Sequence, residues 1–262
     1  MDEDGYLLLP KLLLETEVLA ARRHILNELA SEGLLNNQCA VEEAEAAPNA
    51  QTYFRPDLAL QNEPLQKLLY RVDGPLMTFF SVFLGGRVRH FDFTWLRCVA
   101  PKAGTPPHAD IVYMGRGTKR LFTAWTPLSN IDLDMGGLMI LEGSHQNQRL
   151  RAGYGQRDVD SYCENRPGDK SRTANGLNGW LCTNPVKLQR SLKGRWLTAP
   201  YQLGDVLIFN MYLVHAALDN RSTHFRLSSD SRYQLADEPV DERWVGANPV
   251  GHGPAGKRGR IC

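Results

Sequence analysis

The chain has 262 residues, with 30 Lys and Arg against 29 Asp and Glu, and so a formal net charge of +1 at neutral pH. That length suits one large domain or two small ones, and 42% hydrophobic with 23% charged residues is ordinary for a soluble chain able to form a core unaided. A balance this near zero excludes nucleic acid and anionic membrane as electrostatic partners, no apolar run approaches the ~20 residues of a membrane span, and five cysteines without a CxxC pair point to neither a disulfide framework nor a thiolate zinc site.

The acidic start (Asp2, Glu3, Asp4) is unlike a signal or transit peptide, so a cytoplasmic protein is expected. Residues 1–86 read as mainly helical. Val18, Leu19, Ile25, Leu26 and Leu29 recur near helical spacing within 15–34, and Gly33 suits the helix end. Residues 36–56 are acidic and weakly patterned and read as a surface connection. A second helical stretch begins at Pro64 and runs to Leu84, broken or kinked near Gly74-Pro75.

From residue 87 the pattern changes. Segments rich in β-branched and aromatic residues alternate with Gly, Pro, Asn and Asp: 89–99, 110–113, 120–127, 137–141, 196–203, 205–209, 212–216 and 225–234. About eight short strands predict a sandwich or barrel over 87–235. The stretch 143–195 reads as a long insertion with little periodicity, and a connection of that length is usually functional or partly helical. Residues 244–262 read as a poorly ordered tail. The expected fold is mainly β with flanking helices, in one domain.

Seven histidines allow each to be weighed. Two stand in His-x-Asp triplets, His90-Phe91-Asp92 and His108-Ala109-Asp110. On a strand, both members of such a triplet face one way, which is two thirds of a 2-His-1-carboxylate iron site. With seven histidines and 16 aspartates, chance alone predicts roughly 0.4 such triplets, so the spacing is weak by itself. His108 follows the turn cluster Gly104-Thr105-Pro106-Pro107 and would open a strand beside a loop mouth, whereas His90 sits early in an alternating strand and reads better as half-buried structure. His215 ends the run Tyr212-Leu213-Val214 and reads equally as a core histidine or as a third ligand. Arg226 follows 11 residues later, where a hairpin would bring its guanidinium beside His215; such a fork suits the far carboxylate of a small diacid. Arg232 shares its face but lies roughly 20 Å further along, with Asp230 as its expected ion-pair partner.

These elements in this order resemble the phytanoyl-CoA dioxygenase family of Fe(II)/2-oxoglutarate-dependent oxygenases. The resemblance rests on Asp4-Gly5-Tyr6-Leu7-Leu8-Leu9-Pro10, the pair His108 and Asp110, and Ala124-Trp125-Thr126-Pro127-Leu128. Further along it rests on Gly136-Gly137-Leu138, Gly143-Ser144-His145, Gly204-Asp205-Val206, and His215, Asn220, Ser222 and Arg226. It implies a double-stranded β-helix (jelly roll, cupin-like), with Fe(II) held by His108, Asp110 and His215. It also implies 2-oxoglutarate as cosubstrate on Arg226, with Trp125, Thr123 and Tyr113 around it, and O2 as oxidant. Succinate and CO2 would be the co-products of oxidising a C–H of a small molecule.

Two positions depart from the family pattern. Ala217 stands where a small polar residue is common, so one bond to the cosubstrate is missing or comes from Thr123. Glu142 stands in place of a proline. Ala217 keeps open an alternative, a catalytically silent jelly-roll binding protein, and a cupin-type metalloenzyme without 2-oxoglutarate is a third reading. Trp95, Arg97 and Trp180 are the expected rim of the substrate mouth, and together with Arg149 and Arg151 they suit an anionic substrate.

Overall fold

A computed structural model describes residues 1–102, 104–165 and 179–261. Three strands and four helices dominate the first ninety residues: β1 (Tyr6–Leu9), α1 (Glu15–Ser31), β2 (Tyr53–Phe54), α2 (Pro56–Gln61), α3 (Glu63–Tyr70), α4 (Pro75–Leu84) and β3 (Val88–His90). Pro56, Pro64 and Pro75 each stand in a first helical turn, where a missing N–H costs nothing. Asn62 caps α3 through Leu65 N–H (3.0 Å) and donates to the carbonyl of Ala21 in α1 (2.9 Å), locking the two helices together. Of the break or kink expected near Gly74-Pro75, the structure shows the break, between α3 and α4. The stretch 36–56 is not only surface connection: Ala44 and Ala50 are buried, and Tyr53 and Phe54 join a sheet.

The remaining strands are β4 (Trp95–Val99), β5 (Phe122–Pro127), β6 (Leu138–Leu141), β7 (Ser161–Cys163), β8 (Trp196–Leu197), β9 (Val206–Asn210), β10 (His215–Ala217), β11 (Arg226–Leu235) and β12 (Arg258–Arg260). One antiparallel sheet runs β1-β9-β5-β11-β4-β2, with β3 also on β11; a smaller one runs β10-β6-β8. Alternation along the large sheet divides its residues cleanly. Leu96, Cys98, Ala124, Val206, Ile208, Leu227 and Tyr233 pack on the helices with Val18, Ile25, Leu65, Leu69 and Phe80. Trp125, Leu207 and Phe209 turn the other way, onto Leu138 and Ile140 of the small sheet. Each buried Leu, Ile or Phe contributes about 1.5–3 kcal/mol, so two apolar faces on one sheet fix both the helical layer and the sandwich. The result is the expected architecture, mainly β with flanking helices. No helix among the described residues is long and apolar enough to cross a membrane.

Several local expectations need correction. Residues 110–113 are not a strand: Asp110 adopts helical angles (φ −63°, ψ −23°) at the start of the short helix α5 (Ile111–Met114). The strand expected over 89–99 is interrupted between His90 and Trp95, where Asp92 turns away to accept Gly246 N–H. The strand expected over 196–203 pairs only at Trp196–Leu197, because Tyr201 bridges Ile131 instead. His215 and Arg226 are not joined by a hairpin; β10 lies in the small sheet and β11 in the large one, and the chain crosses the sandwich between them.

The tail is also built in. β12 pairs in parallel with β7, and Asp160, whose side chain is fully buried, accepts Arg243 Nη1 (2.5 Å), His252 Nδ1 (2.7 Å) and Lys257 Nζ (2.5 Å). Gly- and Pro-rich composition disguised an ordered segment held by charge rather than by apolar periodicity. Cys163 is disulfide-bonded, while Cys39, Cys98 and Cys182 are free.

Candidate metal centre and active site

Three polar side chains converge between the sheets. His108 and His215 exchange both backbone hydrogen bonds (3.0 and 2.8 Å), which places their rings 4.3 Å apart. Asp110 reaches the same point because the chain turns at Ala109 into α5, not through strand pleating. One ligand atom from each of the three lies within 4.8 Å of the others, and all three residues are buried. The Nδ1 of His108 faces the Pro106 carbonyl (2.8 Å) and that of His215 faces the Leu213 carbonyl (3.1 Å). A carbonyl only accepts, so Nδ1 carries the proton on each ring and each Nε2 presents a lone pair.

Burial, reinforced by His215, pushes the His108 pKa down to about 3, and burial also lowers that of His215. Burial alone would raise the Asp110 pKa, but Arg232, the two histidines and a bond from Thr123 outweigh it and hold the carboxylate ionised. Two neutral imidazoles and one carboxylate, already in their ligating protonation states, are a donor set fitted to Fe(II).

Asp110 is itself clamped. Thr123 Oγ1 donates to Oδ2 (2.5 Å) and Arg232 Nη2 donates to the same oxygen (3.0 Å). Asp230, expected to pair with Arg232, instead accepts Arg97 Nε (2.9 Å), two residues along β4 from its register partner Trp95. Arg232 therefore contacts the triad, through Asp110, despite its distance from Arg226 along β11. Thr123, expected on the cosubstrate, gives its single hydroxyl proton to Asp110, so it does not replace the bond missing at Ala217.

Arg226 is 1% exposed. Its Nη1 donates to Ser228 Oγ (3.1 Å), its Nε has no partner, and it forms no ion pair among the described residues. Burial, and next Arg97, lowers its pKa to about 10. Trp125, packed edge-on to Tyr201 (4.7 Å), likewise has a buried, unpartnered Nε1. A buried cation without an anion is costly, and here it fits the distal carboxylate of a diacid such as 2-oxoglutarate.

A cavity of about 230 Å³ opens over the triad, lined by His108, Asp110, Tyr113, Trp95, Arg97 and Trp180, and also by Thr105, Met114, Arg232 and His252. Tyr113 stands edge-on to His108 (5.7 Å). The insertion is stapled to the triad's own loop: Tyr154 Oη accepts Ala109 N–H (3.1 Å) and donates to the Gly179 carbonyl (2.5 Å), and Leu181 N–H bonds Pro107 (2.8 Å). Gly179 has φ +88° and lies against Tyr113, where a Cβ would come within 2.6 Å; this close approach carries Trp180 to the cavity. Residues 166–178 of the insertion lie outside those described. Arg149 and Arg151 do not line the cavity; Arg151 stacks on Tyr212 (4.0 Å).

The sequence reading missed His252, because the tail looked unstructured; its ring packs on Trp244 (4.8 Å) and Tyr113 (5.8 Å). His90, the other triplet histidine, caps the Phe91 carbonyl (2.8 Å) and stacks on Tyr70 (4.1 Å). His145 serves the N-terminal turn: Gly5 (φ +80°) leaves room for its ring, and Asp2 O lies 3.3 Å from its Nε2. Glu142 pairs with Arg195 on the surface.

Comparison with known proteins agrees with this geometry. The phytanoyl-CoA dioxygenase (PhyH) family pattern matches residues 1–228, and the chain belongs to that family. Among curated proteins it is 28% identical over 172 residues to the 1-deoxypentalenic acid 11-beta-hydroxylase of Streptomyces exfoliatus, an alignment covering 58% of this chain and 51% of that one. The chain thus spans about half the length of the curated relative it matches. Among solved structures, the non-heme alpha ketoglutarate dependent carbocyclase SnoK from nogalamycin biosynthesis shares the fold (TM-score 0.64, 21% identity, 94% of this chain and 85% of that one). So does EctD from S. alaskensis with 2-oxoglutarate and 5-hydroxyectoine (TM-score 0.61, 18% identity, 98% and 82%).

Proposed function

We propose that the protein is an Fe(II)- and 2-oxoglutarate-dependent dioxygenase that oxidises a C–H of a small molecule, with succinate and CO2 as co-products. The observation that carries this reading is the combination of the preset triad with Arg226, a buried cation that forms no ion pair among the described residues. Bound iron and cosubstrate would supply the oxidising power. In this reading the chain's residues position and exclude. His108, His215 and Asp110 would hold the metal through Nε2, Nε2 and Oδ1. Arg226 would fix the far end of the cosubstrate, with Trp125 Nε1 as a further donor. Tyr113, Trp95 and Trp180 would wall the cavity against water.

Arg97 gives the substrate reading its direction. It commits Nε to Asp230 and stands in the cavity wall, so its outer nitrogens suit a carboxylate or another anionic group. The test is succinate formation by protein loaded with Fe(II), 2-oxoglutarate and O2, against a panel of carboxylate-bearing small molecules. Succinate above the substrate-free level, abolished by His108→Ala, is expected. Bound 2-oxoglutarate with no turnover under any condition would favour the silent jelly-roll alternative.

A further inference from the structure

Beyond the three metal-facing groups, the structure assigns a role to Arg232: we propose that it is a positioning residue that, with Thr123, restricts Asp110 to a single-oxygen metal ligand. This rests on the metal-centre reading above. An ionised carboxylate can offer a metal one oxygen or both. Here Oδ2 takes a hydrogen from Thr123 Oγ1 at 2.5 Å and a second from Arg232 Nη2 at 3.0 Å, which engages both of its in-plane lone pairs. Oδ1 remains, 3.7 Å from His215 Nε2, on the side where the three donors converge.

The consequence is a matter of coordination count. Three protein atoms leave a six-coordinate ion three positions, two for a chelating 2-oxo acid and one for O2. A carboxylate swung round to bind through both oxygens would take one of those three. The clamp thus keeps open the position that the chemistry needs.

Arg232 is built for this duty. It is 2% exposed, its guanidinium lies 4.3 Å over the Trp95 ring, and its Nε contacts Met114 Sδ at 3.3 Å, so its fork has little freedom. Thr123 and Arg232 are register partners on β5 and β11, so one rung of the sheet delivers both donors to one oxygen. Lysine could supply the charge at this place but not the planar fork resting on tryptophan.

The test compares the full chain with Arg232→Met, which keeps the apolar stem, and with Arg232→Lys. Co(II) serves as an air-stable probe of the metal site, and its affinity is read by titration of the apo-protein. With Co(II) saturating, the affinity for 2-oxoglutarate is read in turn. Arg232→Met is expected to weaken Co(II) binding on the order of 10–100-fold and to weaken 2-oxoglutarate binding to the loaded protein, with Arg232→Lys recovering part of both. A merely structural arginine would lower the melting temperature and leave both affinities of the folded protein alone. Affinities within about twofold of the starting protein would overturn the proposal. If Arg232→Met does not fold, Thr123→Val decides: a loss of Co(II) affinity in the same direction supports the clamp, and an unchanged affinity overturns it. A starting protein that binds no Co(II) at all would instead remove the metal-centre reading on which the proposal stands.

Discussion

His108 and His215 hold one another by both backbone hydrogen bonds, His108 N–H to His215 O at 3.0 Å and the reverse at 2.8 Å. Two residues 107 positions apart in the chain are thereby fixed with their Nε2 atoms on one point, before any metal arrives. The positions depend on backbone, so removing either imidazole deletes a ligand without dismantling the bridge. His108→Ala and His215→Ala should each abolish tight Fe(II) binding, measured by calorimetric titration. Their circular dichroism should match the starting protein. Retained metal affinity in either variant would place the iron elsewhere.

Arg226 makes a prediction with two signs. Replacing it with Met removes the partner for a carboxylate, a charge-assisted interaction whose loss costs about 2–5 kcal/mol, or roughly 30- to several-thousand-fold in 2-oxoglutarate affinity. The same change also removes a buried charge that has no counter-ion among the described residues, so the ligand-free protein should be as stable or more stable. Binding titration and thermal melting of one variant read both effects. Lower stability with unchanged 2-oxoglutarate affinity would make Arg226 a structural residue.

Asp160 governs the C-terminal segment. Burial opposes its ionisation, but bonds from His252, Lys257 and Arg243 prevail and hold its pKa below the usual carboxylate range. A depressed folded-state pKa stabilises the fold above the unfolded value near 4 and loses that contribution as pH falls through the folded value. Asp160→Asn should therefore cost about 2 kcal/mol near pH 7, and the difference from the starting protein should shrink in strongly acidic buffer. Denaturant melts at both pH values measure this; a constant difference would exclude the charge as its cause.

How much of this was legible in the sequence depends on what carried the information. Turn chemistry, apolar runs and spacing made His108, Asp110, His215 and Arg226 candidates, but local pattern left His215 open, and only the resemblance to the family joined the four into one expected site. Helix α1 was legible from periodicity, and α3 and α4 from the prolines at their first turns. What was not legible depended on side-chain reach and charge between distant segments. Nothing local tells Asp230 to choose Arg97 over Arg232, or Thr123 to turn to Asp110. The tail hid His252 for a related reason: its order comes from one buried carboxylate 92 residues away, which leaves no periodic trace.

The cavity wall predicts a division of labour. Arg97→Ala and Trp180→Ala should raise KM for whichever substrate supports succinate formation, while Fe(II) and 2-oxoglutarate affinities stay within a few-fold. Steady-state kinetics beside the two binding titrations would show it. An equal fall in 2-oxoglutarate affinity on Arg97→Ala would move that arginine from substrate to cosubstrate.

The central claim, that the triad and Arg226 together form one iron and 2-oxoglutarate site, is met most directly by an anaerobic absorption titration. Purified apo-protein is given Fe(II) and then 2-oxoglutarate, with His108→Ala and Arg226→Met run alongside. The account predicts a visible charge-transfer band that saturates near one equivalent of each, is absent in His108→Ala, and needs far more 2-oxoglutarate in Arg226→Met. No band in the starting protein, or an undiminished band in His108→Ala, would contradict it.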